Sequence, residues 1–248
     1  MSYTRSFCRI SSLLALVPAV LFALPASAES VEETIRERIT EKVPGLTVAS
    51  VRPAPAQGLY EVVTETGEIV YATESGTYLL TGDLLQLTET GIANVTESGR
   101  AERRAETMAG IEKQELISYP AKGEEKARVA VFTDIDCPYC RKLHTEMDRL
   151  NELGITVDYF GFPRSGPATA SFRKYESVWC ADDPQTAMDD AKSGRSVADK
   201  SCENPVAEQF ELGGRVGVTG TPAIVLEDGR MVRGYVPADE LARRLGLM

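Results

Sequence analysis

The hydrophobic pattern opens with a helical period. Within Val31 to Lys42, Ile35 and Ile39 stand one turn apart among polar neighbours, and Pro44-Gly45 ends the run. From Leu46 to Leu87 the period drops to two. Short β-branched and aromatic runs (59–63, 69–72, 78–80) are punctuated by Thr66-Gly67, Ser75-Gly76 and Thr81-Gly82, which predicts an antiparallel meander. Residues 29–95 therefore read as one small module. About 65 residues bury only a marginal core. A small sheet with free edges pairs readily, so dimerisation through this module is expected.

Residues 96–120 change character. Glu97, Arg100, Glu102, Arg103, Arg104, Glu106, Glu112, Lys113 and Glu115 crowd a stretch that Pro120 ends, while Ala101, Ala105 and Met108 are sparse apolar positions. The pattern predicts a solvated helix serving as a spacer, with a disordered linker as the alternative. Residues 121–248 alternate elements. Ala127 to Thr133 is a continuous apolar strand, Pro138 to Leu150 a helix, and Ile155 to Gly161 a second strand. Ser165 to Leu212 reads as helical, broken at Pro184, Gly194 and Pro205. Ala223–Leu226 and Met231–Tyr235 flank the Asp228-Gly229 turn, and a helix over 237–247 follows. This is the order of a thioredoxin-like α/β fold with a helical insertion, set after an α+β amino-terminal module.

Residues 1–28 carry no acid. Arg5 and Arg9 precede a nearly continuous apolar run, Leu13 to Leu24, and Ala26-Ser27-Ala28 supplies a small-x-small cleavage site. This predicts a cleaved secretory signal peptide. The run is short of the ~20 residues that span a bilayer. Export to the periplasm is expected, and with it an oxidising compartment. The net charge of −10 becomes −12 once Arg5 and Arg9 are removed, which excludes nucleic acid as a partner. Cleavage also removes Cys8 and leaves an even set: Cys137, Cys140, Cys180 and Cys202.

Cys137-Pro138-Tyr139-Cys140 follows an apolar strand and opens a helix. There unpaired N–H groups favour a thiolate on Cys137, Pro138 tolerates the first helical position, and Cys140 lies one turn in, less exposed. Cys137 is expected to be the nucleophile and Cys140 the resolving thiol. A zinc site would need two further close ligands, and Cys180 and Cys202 are not such a pair, so no metal and no cofactor is expected. Cys180 and Cys202 most simply form a structural disulfide worth ~3 kcal/mol, with a second redox relay as the alternative. Thr219-Gly220-Thr221-Pro222-Ala223 places a Thr-Pro step before a strand, suited to a cis bond. It leaves the Thr221 backbone free to pair with an extended substrate. Thr221, Pro222, Pro138 and Tyr139 are therefore candidate substrate-binding residues. His144, two turns beyond Cys137 at ~10 Å, reads as packing. Asp134 and Asp136 are expected to oppose the helix dipole.

Phe132-Thr133-Asp134, the Cys137–Cys140 motif, Lys142-Leu143-His144, the Cys180/Cys202 pair, Gly220-Thr221-Pro222-Ala223 and Gly234-Tyr235 together resemble the DsbC/DsbG family of bacterial periplasmic protein disulfide isomerases. The segment from Gly58 to Leu84 resembles that family's dimerisation domain, a small cystatin-like antiparallel sheet. The resemblance implies a V-shaped homodimer whose linker helices carry two thioredoxin-like domains facing an apolar cleft. It also implies misfolded disulfide-containing proteins as substrates, possible chaperone activity independent of redox chemistry, and a membrane thiol reductase of the DsbD type as reductant. Pro138 departs from the glycine of the DsbC form and matches DsbG, which implies reduction of cysteine sulfenic acids as the alternative activity. Thioredoxin-type enzymes often place a buried acid six residues before the first cysteine. Val131 stands there, so no such proton acceptor is implied.

Overall fold

The computed structural model describes residues 30–111 and 116–248. The expected leader, residues 1–28 with Cys8, lies outside them. Helix α1 (Val31–Lys42) starts where the Ser30 side chain accepts from the Glu33 N–H. It drops Ile35 and Ile39 onto a four-stranded antiparallel sheet ordered β1 (Val48–Pro53), β2 (Leu59–Thr64), β3 (Ile69–Thr73), β4 (Leu79–Thr81). Val48, Val51, Val62, Val70 and Ala72 complete this core. Each large aliphatic side chain buried there is worth ~1.5–3 kcal/mol. A separate ribbon, β5 (Leu85–Thr88) with β6 (Gly91–Asn94), has exposed Leu85, Leu87 and Ile92.

The charged stretch does form a helix, but not to Pro120 and not one that is wholly solvated. Helix α2 spans Val95–Ala109, capped by Asn94 accepting from Glu97 N–H. Its Thr96, Gly99, Ala101 and Arg104 are buried. Arg104 donates from Nε to the Val216 carbonyl at 2.9 Å and from Nη1 to the Gly229 carbonyl, and pairs with Glu97. One guanidinium, a threonine and two small residues make this buried face, which is why an apolar pattern did not announce it. On the other flank, Tyr71 and Thr96 share a hydroxyl hydrogen bond at 2.7 Å, and Arg103 reaches the buried Glu61 carboxylate of β2 at 3.3 Å. Beyond the helix, Ile117–Tyr119 is strand β7.

The carboxy-terminal sheet is ordered β11 (Met231–Arg233), β10 (Ala223–Val225), β8 (Ala127–Thr133), β9 (Ile155–Gly161), β7. Only β8 and β9 run parallel. The expected single helix over 138–150 is two: α3 (Pro138–His144) and α4 (Met147–Glu152). The break falls at Thr145-Glu146. The Glu146 carboxylate accepts from the Tyr235 hydroxyl and from the Ala238 N–H, the start of α8 (Ala238–Arg244). Helices α5 (Ala170–Trp179), α6 (Pro184–Lys192) and α7 (Val206–Arg215) form the insertion between β9 and β10. Cys180 and Cys202 form a disulfide with a Cα separation of 5.7 Å.

Candidate active site

The site lies where buried β8 turns into α3. Asp134 to Asp136 make the turn, and Cys137 is the N-cap residue, in extended backbone with no side-chain capping bond. Its N–H bonds the Asp134 carbonyl at 3.2 Å, and its own carbonyl accepts from Arg141 N–H at 3.0 Å. Pro138 takes the first helical position, where no N–H is needed. Pro138 and Tyr139 are exposed beside the sulfur. Strand β10 runs antiparallel to β8 with Ala223 opposite Phe132, which carries Thr221 and Pro222 to the same end of the sheet. The Thr221–Pro222 bond is cis. The Cys137 thiol donates to the Thr221 carbonyl at 3.3 Å.

Both cysteines are covered, with 1% exposure each, so the expected difference in exposure is not found. They differ in electrostatics instead. Burial alone would raise the Cys137 thiol. The Thr221 hydroxyl, the N–H and thiol of Cys140, and the Arg164 charge outweigh it and hold Cys137 below its ordinary value. Cys140 is raised by burial despite Lys192, Asp134 N–H, Thr221 and Thr133. The Thr221 hydroxyl is buried without a conventional hydrogen-bond partner, facing both sulfurs.

The acids flanking the motif do not act as expected. Asp134 is buried, and its carboxylate accepts from Arg164 N–H at 3.0 Å, Arg164 Nε at 3.1 Å, Ser171 at 2.8 Å and Asp136 N–H at 2.8 Å. Although burial would raise it, those bonds keep it ionised and compensated. Asp136 is paired with Arg141 and Lys174. Their negative charge is therefore met locally rather than aimed at the sulfur. His144 is packed away from the pair, with Nδ1 3.0 Å from the Tyr159 hydroxyl and Nε2 3.1 Å from Asp189. Burial first, then the Lys192 charge, lowers it to about 4, against the pull of Asp189.

Two residues here escaped the sequence reading. Arg164 follows β9 in an ordinary Phe-Pro-Arg loop. Lys192 ends α6, where a lysine reads as a solvent-facing complement to the helix dipole. It is instead 3% exposed. No local pattern reveals either one, because only the sheet order brings them to the Cys137–Cys140 turn.

Residues 113–248 fit the thioredoxin-like domain model, and residues 24–97 fit that of the disulfide bond isomerase protein N-terminal domain. The chain is 36% identical over 222 residues to thiol:disulfide interchange protein DsbC of Escherichia coli (strain K12), covering 90% of each. It is 37% identical over 230 residues to the DsbC of Dickeya dadantii (strain 3937), covering 93% of each.

The chain belongs to the DsbC family. It is a thiol:disulfide interchange enzyme built on a thioredoxin-like domain. Among the described residues no helix is long and apolar enough to cross a membrane. A DsbC amino-terminal module precedes the catalytic domain, as the Gly58–Leu84 resemblance implied.

Proposed function

We propose that this DsbC-family chain is a periplasmic homodimer that isomerises and reduces wrong disulfides in exported proteins. Cys137 is its nucleophile and Cys140 its resolving thiol. The observation that carries the reading is the geometry: Cys137 is the N-cap residue of α3, 3.3 Å from the Thr221 carbonyl at the cis Thr221–Pro222 bond, with Cys140 one turn in. The surroundings of Cys137 favour its thiolate, the form that attacks. It attacks one sulfur of a substrate disulfide, forms a mixed disulfide and releases a substrate thiolate. That thiolate either attacks another substrate sulfur, which completes isomerisation, or Cys140 displaces the substrate and leaves a Cys137–Cys140 disulfide. A membrane thiol reductase of the DsbD type returns the pair to thiols. The Thr221 carbonyl, Pro222, Pro138 and Tyr139 form the rim against which an extended substrate lies. The proposed domain limits are a leader at 1–28, a dimerisation module at 29–95, a connecting segment at 96–120 and the catalytic domain at 121–248. The exposed apolar ribbon β5–β6 supports the dimer.

Refolding of scrambled ribonuclease tests the assignment. Wild type restores activity, and Cys137→Ala restores none above the uncatalysed rate. Equal recovery by the two proteins refutes the role of Cys137. Pro138 favours a second reading, reduction of sulfenic acids on single cysteines. Mixed disulfides trapped with Cys140→Ala separate the two: partners with several cysteines indicate isomerisation, and partners with one indicate sulfenate reduction.

A further inference from the structure

Lys192 takes no part in the exchange chemistry described so far. Its ammonium donates to the Thr133 hydroxyl at 2.6 Å and to the Asp134 carbonyl at 3.0 Å, and it stands 5.5 Å from the centroid of the Tyr159 ring. All of these partners are neutral. The Asp134 carboxylate is directed instead at Arg164, Ser171 and the Asp136 N–H. A buried ammonium held by neutral oxygens is costly unless an anion forms beside it. The anion this site can form is the Cys140 thiolate. The Lys192 charge and the Thr133 hydroxyl both favour that ionised sulfur. Burial brings Lys192 itself down to about 8, helped by Arg141 and opposed by Cys140, Asp134 and Cys137. A fraction of the amine is thus present near neutral pH. Val131, six residues before Cys137, is apolar, so that position offers no carboxylate to take the Cys140 proton.

We propose that Lys192 is the proton acceptor for Cys140, working through the Thr133 hydroxyl, when the second sulfur releases substrate. This rests on the reading of Cys137 and Cys140 given above. The Lys192 amine takes the Thr133 hydroxyl proton as Thr133 takes the Cys140 thiol proton. An ammonium and a Cys140 thiolate result. The thiolate electron pair forms the bond to the Cys137 sulfur, and the bond from Cys137 to the substrate sulfur breaks. Its electron pair leaves as a substrate thiolate. The Cys140 sulfur is oxidised, the substrate sulfur is reduced, and Cys137 stays at the disulfide level throughout. The proton stays on Lys192 until it passes to solvent, or returns to Cys140 when the disulfide is next reduced.

The pH dependence of this release step isolates the lysine. Facing Lys192 are Cys137, Cys140, Arg141 and His144 from α3, Asp134 after β8, Tyr159 from β9, and Asp189 on its own helix beside His144. In the mixed disulfide Cys137 carries no proton. His144 is lowered to about 4, Asp134 is held low, and Tyr159 is well above its ordinary value. The limb near pH 8 is left to the Lys192–Cys140 pair.

The test uses the full mature chain with Cys137 loaded with a coloured aromatic thiol, whose release by Cys140 is followed optically. Wild type shows release rising through a limb near pH 8. In Lys192→Met, release at neutral pH falls about 100-fold, the lower end of what a positioned proton acceptor contributes, and the limb moves to higher pH. Thr133→Val gives the same slowing with Lys192 intact, and serves where the methionine variant does not fold. Unchanged rate and limb in a folded variant overturn the proposal. Alkylation of Cys137 in the unloaded proteins separates the two readings. Fast alkylation with release indifferent to Lys192 and Thr133 refutes this proposal alone. Alkylation no faster than that of an ordinary exposed thiol refutes the nucleophile assignment beneath it.

Discussion

Cys137 and Cys140 are equally covered by protein and are driven in opposite directions by what surrounds them. Arg164 contributes to this from 27 positions downstream, both through its charge and by fixing Asp134. Replacing it with methionine removes that charge and leaves the Asp134 carboxylate without its cation. Alkylation of Cys137 at neutral pH is expected to slow by about 3–10-fold in Arg164→Met, in keeping with one nearby charge. His144 gives a second expectation. Its folded value, about 4, lies below its ordinary 6.5, so the unfolded chain binds the proton first as pH falls. The contribution to stability is complete above pH 6.5 and is lost as pH drops towards 4, up to ~3 kcal/mol. Urea melts across that range show the slope, and His144→Gln flattens it. Motif spacing made the cysteines and the Thr-Pro step legible, since strand, turn and helix N-terminus are local properties. The charges around them were not legible, because Arg164 and Lys192 sit in ordinary loop and helix-end contexts and gain meaning only from the sheet order.

The same limit holds at the scale of elements. Strands β8 and β9 are long apolar runs and were readable as such. Strand β7 has three residues and is a strand because β9 offers it an edge. The charge-rich segment read as a solvated spacer, yet its helix α2 is fastened on two sides. Gly229 shows how tightly. It adopts φ +77°, and a Cβ there would stand 1.8 Å from the Ala101 carbonyl oxygen of α2. Gly229→Ala is expected to lose ~2 kcal/mol or more from strain and displacement together, and to free α2 from the catalytic domain. Arg104→Ala leaves the Val216 and Gly229 carbonyls without their donor and costs ~2–3 kcal/mol. Thermal melts read the loss. Faster proteolytic cutting within α2 shows that it comes from undocking.

For the whole molecule, the Cys180–Cys202 disulfide closes a segment of 22 positions, and its removal by Cys180→Ala with Cys202→Ala is expected to cost ~3 kcal/mol in urea melts. The scrambled-ribonuclease activity of the folded variant should survive, because neither sulfur adjoins Cys137. The exposed apolar side chains of β5 and β6 are where the proposed dimer would pair. Leu87→Asp together with Ile92→Asp should convert a sedimenting dimer into a monomer without unfolding the α1–β4 core, whose packing they do not share.

Helix α2 is joined to the amino-terminal sheet through Tyr71–Thr96 and Glu61–Arg103, and to the catalytic domain through Arg104. A connector gripped at both flanks transmits angle as well as distance. In the proposed dimer assembled on the amino-terminal module, the gap between the two reactive centres would then be a fixed dimension of the architecture rather than a swinging one. In that proposed dimer, a client chain would reach both centres only where it spans the gap between them.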